Sequence, residues 1–255
     1  VLQEVAPERR RDLAPLFRSH PPHLRAGIAS VLEGRVGRAW ISGDGAARAA
    51  RLSVGCYDVF GGDSDSTAAE EVSRGVGGPR ELVHGNDPRW DRRLREIFGA
   101  RLSERHMRSY DGEDLATGPL RELATALPAD ASLRPIDERS SRELDAELSP
   151  HALQVYASAA EFLGEGFGFG VFVGDRLACA ATSYAVGGGA VEVAIATRVA
   201  FRGRGYAAAA SARLLLEAIA RRLAPHWNAS NPVSQRLALR LRLRPAGICE
   251  VLYLA

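Results

Sequence analysis

Residues 201–210 read FRGRGYAAAA: two glycines set among arginines, then four consecutive alanines. Glycine has no Cβ, so the main chain there turns tightly and admits close approach of another molecule. Alanine enters a helix without losing side-chain entropy. A glycine turn that opens a helix leaves several N–H groups unpaired at the positive end of the helix dipole, which suits a phosphate. The stretch thus has two readings, a turn that holds an anion or a turn that only redirects the chain.

The flanking sequence has a regular grammar. FGFGVFVGD (167–175) and RLACAATSYAV (176–186) are two strands joined by a Gly-Asp turn, and AVEVAIAT (190–197) is a third strand after a glycine run. After the turn comes a long helix, YAAAASARLLLEAIARRL (206–223), with Leu214, Leu215, Ala218 and Ile219 in one apolar stripe. APHWNAS (224–230) follows as a strand, NPVSQRLALRLR (231–242) as a helix started by Asn-Pro, and GICEVLYLA (247–255) as a strand. Ahead of them stand a short strand, ASLRPID, and two helices, ERSSRELDAEL and HALQVYASAAEFL.

The first half is mixed α/β. PERRRDLAPLF (7–17) and LRAGIASVLEG (24–34) have helix-like spacing, RAWIS and RLSVGCYDVF are strand-like, and PRWDRRLREIFG is a helix with proline at its start. GGDSDST, GVGGP and VHGNDP read as turns. ATALPADAS (124–132) is a softer stretch that divides the chain into residues 1–128 and 129–255.

The bulk numbers exclude several classes. A hydrophobic fraction of 46% and a charged fraction of 25% over 255 residues are ordinary for a globular protein. The net charge of +2 gives no support to nucleic-acid binding. All 33 basic residues are arginine, which rules out a Schiff-base lysine or a P-loop lysine. Cys56, Cys179 and Cys249 are too few and too scattered for a metal site, so no metal is expected, and they read as thiols in a reducing compartment. No run is long and apolar enough for a membrane span, and VLQEVAPERRRDLAPLF has no hydrophobic signal core. The expectation is a cytoplasmic protein without membrane or nucleic-acid partners, as monomer or homodimer.

The element order around the glycine turn resembles the GCN5-related N-acetyltransferase (GNAT) superfamily. RGRGYA at Arg202–Ala207 fits its R/Q-x-x-G-x-G/A acetyl-CoA motif. More narrowly, the GG-rich turn, the RGRG helix and PHWNASNPVSQRLA resemble the zwittermicin A resistance-type acetyltransferases over residues 130–245. The resemblance implies a GNAT fold in 129–255, a mixed and mainly antiparallel sheet flanked by helices. The α/β N-terminal half is expected as a degenerate copy of that fold, from its order of helix, helix, strand, strand, helix, strand, though it lacks an RGxG turn.

The implied activity is acetyl-CoA-dependent acetyl transfer, an acyltransferase reaction, to a primary amine by direct transfer in a ternary complex. The acceptor would be a small, antibiotic-like molecule, with a peptide amine or a non-catalytic acyl-CoA-binding module as alternatives. In such proteins the turn binds the coenzyme pyrophosphate, here through Arg202, Gly203, Arg204, Gly205, Tyr206 and Ala207. Main-chain groups of Ile195 and Thr197 would hold the pantetheine arm, the strand splaying from APHWNAS to leave a slot for the thioester. Asn231 and Ser234 match the start of the last helix near the pantetheine; both are also ordinary capping residues.

For the chemistry, Glu192 is a candidate general base, or a solvated strand residue. His226 is a second candidate, with the right intrinsic pKa to move a proton near neutrality. Trp227 would wall an acceptor slot by cation–π attraction, or simply pack. Asn228 would line the same acceptor slot; it stands where relatives commonly carry aspartate, which removes a carboxylate that could attract a cationic acceptor. Ala238 occupies the position of the usual general-acid tyrosine, so Tyr184, Ser234 or unassisted departure would serve the thiolate. Leu241-Arg242-Leu243 replaces the usual Leu-Gly-Phe. Arg236, Arg240 and Arg244 either attract the 3′-phosphate or form a solvated face.

Overall fold

A computed structural model describes residues 1–44, 48–76 and 82–254. The chain divides into two compact units, 1–107 with 249–255, and 108–248. The sequence reading placed the division at 128/129; it lies instead inside a strand. Two strands, β6 and β12, each begin in one unit and end in the other, so the first half of the sequence completes the second unit and the last residues complete the first.

The first unit runs β1 (Gln3–Glu4), a 3-10 segment (Pro7–Phe17), α1 (Arg25–Leu32), β2 (Arg38–Ser42), β3 (Ala49–Val54), β4 (Tyr57–Gly62), α2 (Thr67–Ser73), β5 (Leu82–Gly85), α3 (Pro88–Phe98) and the start of β6 (Leu102–Asp111). Pro15 lies within the 3-10 segment, where a full α-helical hydrogen-bond ladder is not available. RLSVGCYDVF is two strands rather than one, folded at Gly55 with φ +60°. VHGNDP is only partly a turn: Val83, His84 and Gly85 belong to β5, a buried strand. The GVGGP turn lies largely outside the described residues.

The second unit continues with α4 (Thr117–Thr125), β7 (Ala131–Pro135), α5 (Glu138–Glu143), a π-helical turn (Leu144–Leu148), α6 (Ala159–Glu165), β8 (Gly168–Val173), β9 (Arg176–Gly187), β10 (Ala190–Thr197), α7 (Tyr206–Ala220), β11 (Ala224–Ala229), α8 (Pro232–Arg240) and the start of β12 (Arg244–Leu254). The helix expected over HALQVYASAAEFL is confined to its second half. Residues 151–158 are irregular because their polar groups bind the sheet: the Tyr156 hydroxyl donates to Ser183 O at 2.9 Å, and Thr182 Oγ1 donates to Ala152 O at 3.3 Å.

Both units follow one plan. In each, three strands run antiparallel, a helix crosses over, and the next strand pairs in parallel: β4 with β5 from Tyr57↔Leu82 to Phe60↔Gly85, and β10 with β11 from Ala190↔Ala224 to Glu192↔His226. A further strand then pairs antiparallel, the end of β12 against β5 and the end of β6 against β11. The N-terminal half is thus a mixed α/β fold of the same connectivity.

The core of the second unit explains the alanine run. Ala208, Ala209, Ala210 and Ala212 are all buried, together with Leu214, Leu215 and Ala218. Such small side chains let the first turns of α7 lie close on β8, β9 and β10. Tyr206, Ala209, Ala210 and Leu214 pack there with Phe169, Val171, Ala181 and Val191. The opposite side of this helix meets Trp227, Tyr110, Leu120 and Ala238. The N-terminus of α7 is thereby fixed beside the end of β10.

Candidate active site

The turn ahead of α7 is built for an external ligand. Gly203 and Gly205 have φ of +80° and +82°, which L-residues with side chains avoid, and a Cβ built on either would meet nothing within 4 Å. The main-chain N–H groups of Gly203, Arg204, Gly205, Tyr206 and Ala207 have no acceptor among the described residues. They converge on the positive end of a 15-residue helix.

These groups open on a cleft of about 840 Å³. Every residue expected to hold a cofactor lines it: Ile195, Thr197, Arg202, Gly203, Arg204, Gly205, Tyr206, Ala207, Asn231 and Ser234. Arg236 and Arg240 also reach it from α8, so among the described residues four arginines and no carboxylate face the same space. That imbalance creates a positive field suited to a polyanion.

Asn231 caps α8, its Oδ1 accepting Ser234 N–H at 3.0 Å. Ser234 Oγ accepts the indole N–H of Trp227 at 2.9 Å, which leaves its own hydroxyl proton to donate elsewhere. Ala238 is fully buried against Trp227 and Leu241, in the layer where a tyrosine would need room.

The slot arises from strand pairing that stops. β10 and β11 are parallel neighbours only as far as Glu192↔His226, and beyond that pair they are no longer partners. On its other side β10 keeps its pairing with β9 to Thr197↔Cys179, with one irregularity: Glu192 faces Ala185 and Val193 faces Ser183, so Tyr184 is an extra residue in β9. Glu192 therefore stands where the splay begins. Ile195, the first cleft residue on β10, is three positions further, about 10 Å along an extended strand.

Glu192 is held rather than solvated. Its Oε1 accepts Asn228 Nδ2–H at 3.0 Å, and Asn228 Oδ1 accepts the Ser109 hydroxyl at 2.8 Å. Oε2 is out of solvent and has no hydrogen-bond partner among the described residues. Burial pushes the carboxyl well above the usual carboxylate range, opposed only in part by the hydrogen bonds from Asn228. His226 is buried and is the cross-strand neighbour of Glu192, so the two share a sheet face.

Trp227 is not brought to this face. It is 1% exposed and packs under α7 and α8, so its contribution here is packing and one hydrogen bond. Asn228, expected to touch an acceptor, touches Glu192 instead. Cys179 is buried, and the loss of solvent pushes its thiol up to about 12, which makes it a poor nucleophile.

Sequence reasoning missed four contributors. Ser109 lies on β6, whose charged sequence LSERHMRSYD gives no apolar alternation. Leu148 and Ser149 line the cleft at the end of the π-helical turn, a form common near functional sites. Arg198 ties that turn to the end of β10, donating to Glu143 at 2.8 Å, Glu147 at 2.9 Å and Leu177 O at 2.7 Å.

The comparisons with known proteins agree with this geometry. A family model described as GNAT acetyltransferase matches residues 14–245. The chain belongs to the GNAT acetyltransferase family. Among solved structures, a GCN5-related N-acetyltransferase-like protein from Streptococcus suis is 22% identical, with TM-score 0.78 over 98% of this chain and 100% of that one. A tandem GNAT protein from the clavulanic acid biosynthesis pathway is 13% identical, with TM-score 0.62 over 99% and 98%. A GCN5-related N-acetyltransferase from Kribbella flavida is 14% identical, with TM-score 0.58 over 98% and 95%. No curated protein matches in sequence. The shared GNAT fold covers both halves of the chain, and a tandem GNAT arrangement is consistent with the repeated connectivity seen here. Among the described residues no helix is long and apolar enough to cross a membrane, and no cluster of metal-ligating side chains is present.

Proposed function

We propose that this GNAT protein is an acetyl-CoA-dependent N-acetyltransferase that transfers acetyl to a primary amine of a small molecule in a ternary complex. The observation that carries the reading is the cleft, where unpaired N–H groups and Arg202, Arg204, Arg236 and Arg240 face one space without a carboxylate. The N–H groups of 203–207 hold the pyrophosphate, and Ile195 and Thr197 offer main-chain groups to the pantetheine arm, which leads the thioester toward Glu192.

Glu192 is the general base. An incoming ammonium must lose a proton before its lone pair attacks the thioester carbonyl, and a carboxylate whose pKa is raised by burial is a stronger base for that proton than an exposed one. Attack forms the C–N bond, and collapse of the tetrahedral intermediate breaks the C–S bond, the nitrogen passing its second proton to the departing thiolate or to solvent. The departing thiolate is a modest base, so a hydrogen bond suffices for it; Ser234, whose oxygen is already engaged by Trp227, is the donor. His226 adds a second titratable group on the Glu192 face. With a buried Cys179 outside the reaction path, no acetyl-enzyme is involved.

A small acceptor fits the zwittermicin A resistance-type resemblance of PHWNASNPVSQRLA and the fold shared with a protein of clavulanic acid biosynthesis. The reaction takes place in the cytoplasm, where acetyl-CoA is supplied. Thiol release from acetyl-CoA, followed with aminopolyols, amino sugars and peptides bearing a free amino terminus, tests the reading. Turnover confined to the small amines supports it. Turnover with peptides alone assigns a protein acetyltransferase, and none with any amine leaves an acyl-CoA-binding module.

A further inference from the structure

We propose that Ser109 and Asn228 are positioning residues for Glu192, the hydroxyl fixing which way the amide faces and the amide holding the carboxylate. An asparagine side chain can present either its oxygen or its NH₂ to a neighbour. Here the Ser109 hydroxyl donates to Asn228 Oδ1 at 2.8 Å, so the NH₂ is turned to Glu192 Oε1 at 3.0 Å. Cross-strand register enforces the arrangement, since Asn228 is the direct partner of Ser109. Reversed, the amide would set oxygen against oxygen, which only a protonated Glu192 tolerates. The device keeps Oε1 engaged and leaves Oε2 as the atom that meets the acceptor.

This inference rests on the reading of Glu192 as base, and it gives the first half of the sequence a part in the chemistry. Ser109 lies on β6, ahead of α4 and β7, in the strand that pairs with β11. A chain cut at the 128/129 boundary would retain the glycine turn and Glu192 but lose the group that orients Asn228. Other titratable or charged groups on this face are His226 on β11, Tyr184 at the β9 irregularity, and Asp111 on β6, which is paired with Arg244 at 3.1 Å.

The test is a pH titration of the full chain by difference infrared spectroscopy, reading the protonated-carboxyl band that Glu192→Gln removes. No acceptor is needed. In Asn228→Ala the midpoint moves up because a donor to the carboxylate is gone, in Ser109→Ala it moves up because the amide is free to reverse, and Ser109→Thr restores the wild-type value. Each pH unit of upward shift removes about tenfold of the ionised base below the midpoint. Unchanged midpoints in both alanine variants would overturn the proposal, and a shift in Asn228→Ala alone would remove Ser109 from it. Full turnover of Glu192→Gln with an amine that the wild type accepts would sink the base reading separately, with the midpoints still reporting on the positioning.

Discussion

Glu192 and His226 are the last partners in the parallel pairing of β10 and β11, and beyond them the two strands separate. The carboxylate thus sits at the apex of a slot, out of water at Oε2 and held at Oε1 by Asn228. Burial of this carboxyl raises its pKa above the usual carboxylate range, as the proposed role of general base requires.

Glu192→Gln should separate the two effects. Gln keeps an acceptor for Asn228 and cannot take a proton, so turnover falls by about 10²–10⁴-fold. The raised pKa means the folded state binds this proton more tightly than the unfolded chain, whose value is near 4.5. That stabilisation is complete below pH 4.5 and is lost as pH rises through the folded value. The melting temperature of Glu192→Gln should therefore exceed that of wild type increasingly as pH rises from 4.5 to the folded value and stay above it at pH 8, by about 2–4 °C per kcal/mol. Calorimetric scans across that range check it, and a variant that melts lower than wild type at pH 8 contradicts it.

Ser234 should matter to the leaving group. Ser234→Ala removes the hydroxyl that Trp227 orients, while leaving Asn231 to cap the main-chain N–H of α8. Loss of a hydrogen bond to a charged group is worth roughly 1.5–3 kcal/mol, so kcat should fall about 10–100-fold with little change in KM. A rise in KM alone would place Ser234 in binding rather than departure.

Much of this was legible in the sequence, for reasons that differ by residue. Gly203 and Gly205 announced themselves because positive φ before a helix admits little else. The residues of the cleft are local in sequence or fixed by strand and helix ends, so their assembly in one space followed from element order. β6 was hidden, because LSERHMRSYD carries charges on both faces and becomes a strand through pairing with β11. Trp227 and Asn228 are adjacent candidates for one slot, yet alternate residues of a strand face opposite sides, and one is core while the other touches Glu192. The domain boundary was misplaced for a related reason: exchange of β6 and β12 between units leaves no mark in local composition.

The arginines of α8 should read the nucleotide end of the cofactor. Arg236 and Arg240 are four residues apart on one helix face and line the cleft. Alanine at either should weaken coenzyme A binding by about 3–10-fold, with less effect on dephospho-coenzyme A, and should lessen the salt dependence of binding. Equal losses for the two ligands would remove the 3′-phosphate from the account.

The first unit should not bind a second coenzyme. Its β4–α2 turn carries Asp63 and Asp65 in place of arginines, and Gly61 and Gly62 just ahead of them are closed against protein. A Cβ on Gly61 would lie 2.5 Å from Leu16 O, and one on Gly62 would lie 2.2 Å from Arg48 O. Titration should give one site per chain; two equivalent sites would contradict this.

His84 should limit stability in acid. It is buried against His23 and Tyr57, and burial lowers its pKa from 6.5 to about 3. The unfolded chain takes the proton near 6.5 and the folded one does not, so the stability contributed is present above 6.5 and is lost as pH falls toward 3. At pH 5 the loss is about 2 kcal/mol. His84→Leu should flatten the decline of melting temperature between pH 7 and pH 5, and an unaltered slope would contradict the assignment.

The turn at 203–207 should hold the pyrophosphate of acetyl-CoA. Calorimetric titration of the wild type and of Gly205→Glu tests it most directly, because the variant places a carboxylate and a strained left-handed backbone where the phosphates would lie. Saturable one-site binding by the wild type, abolished in a variant that still folds, is the result expected. Absence of binding by the wild type, or undiminished binding by Gly205→Glu, would contradict the account.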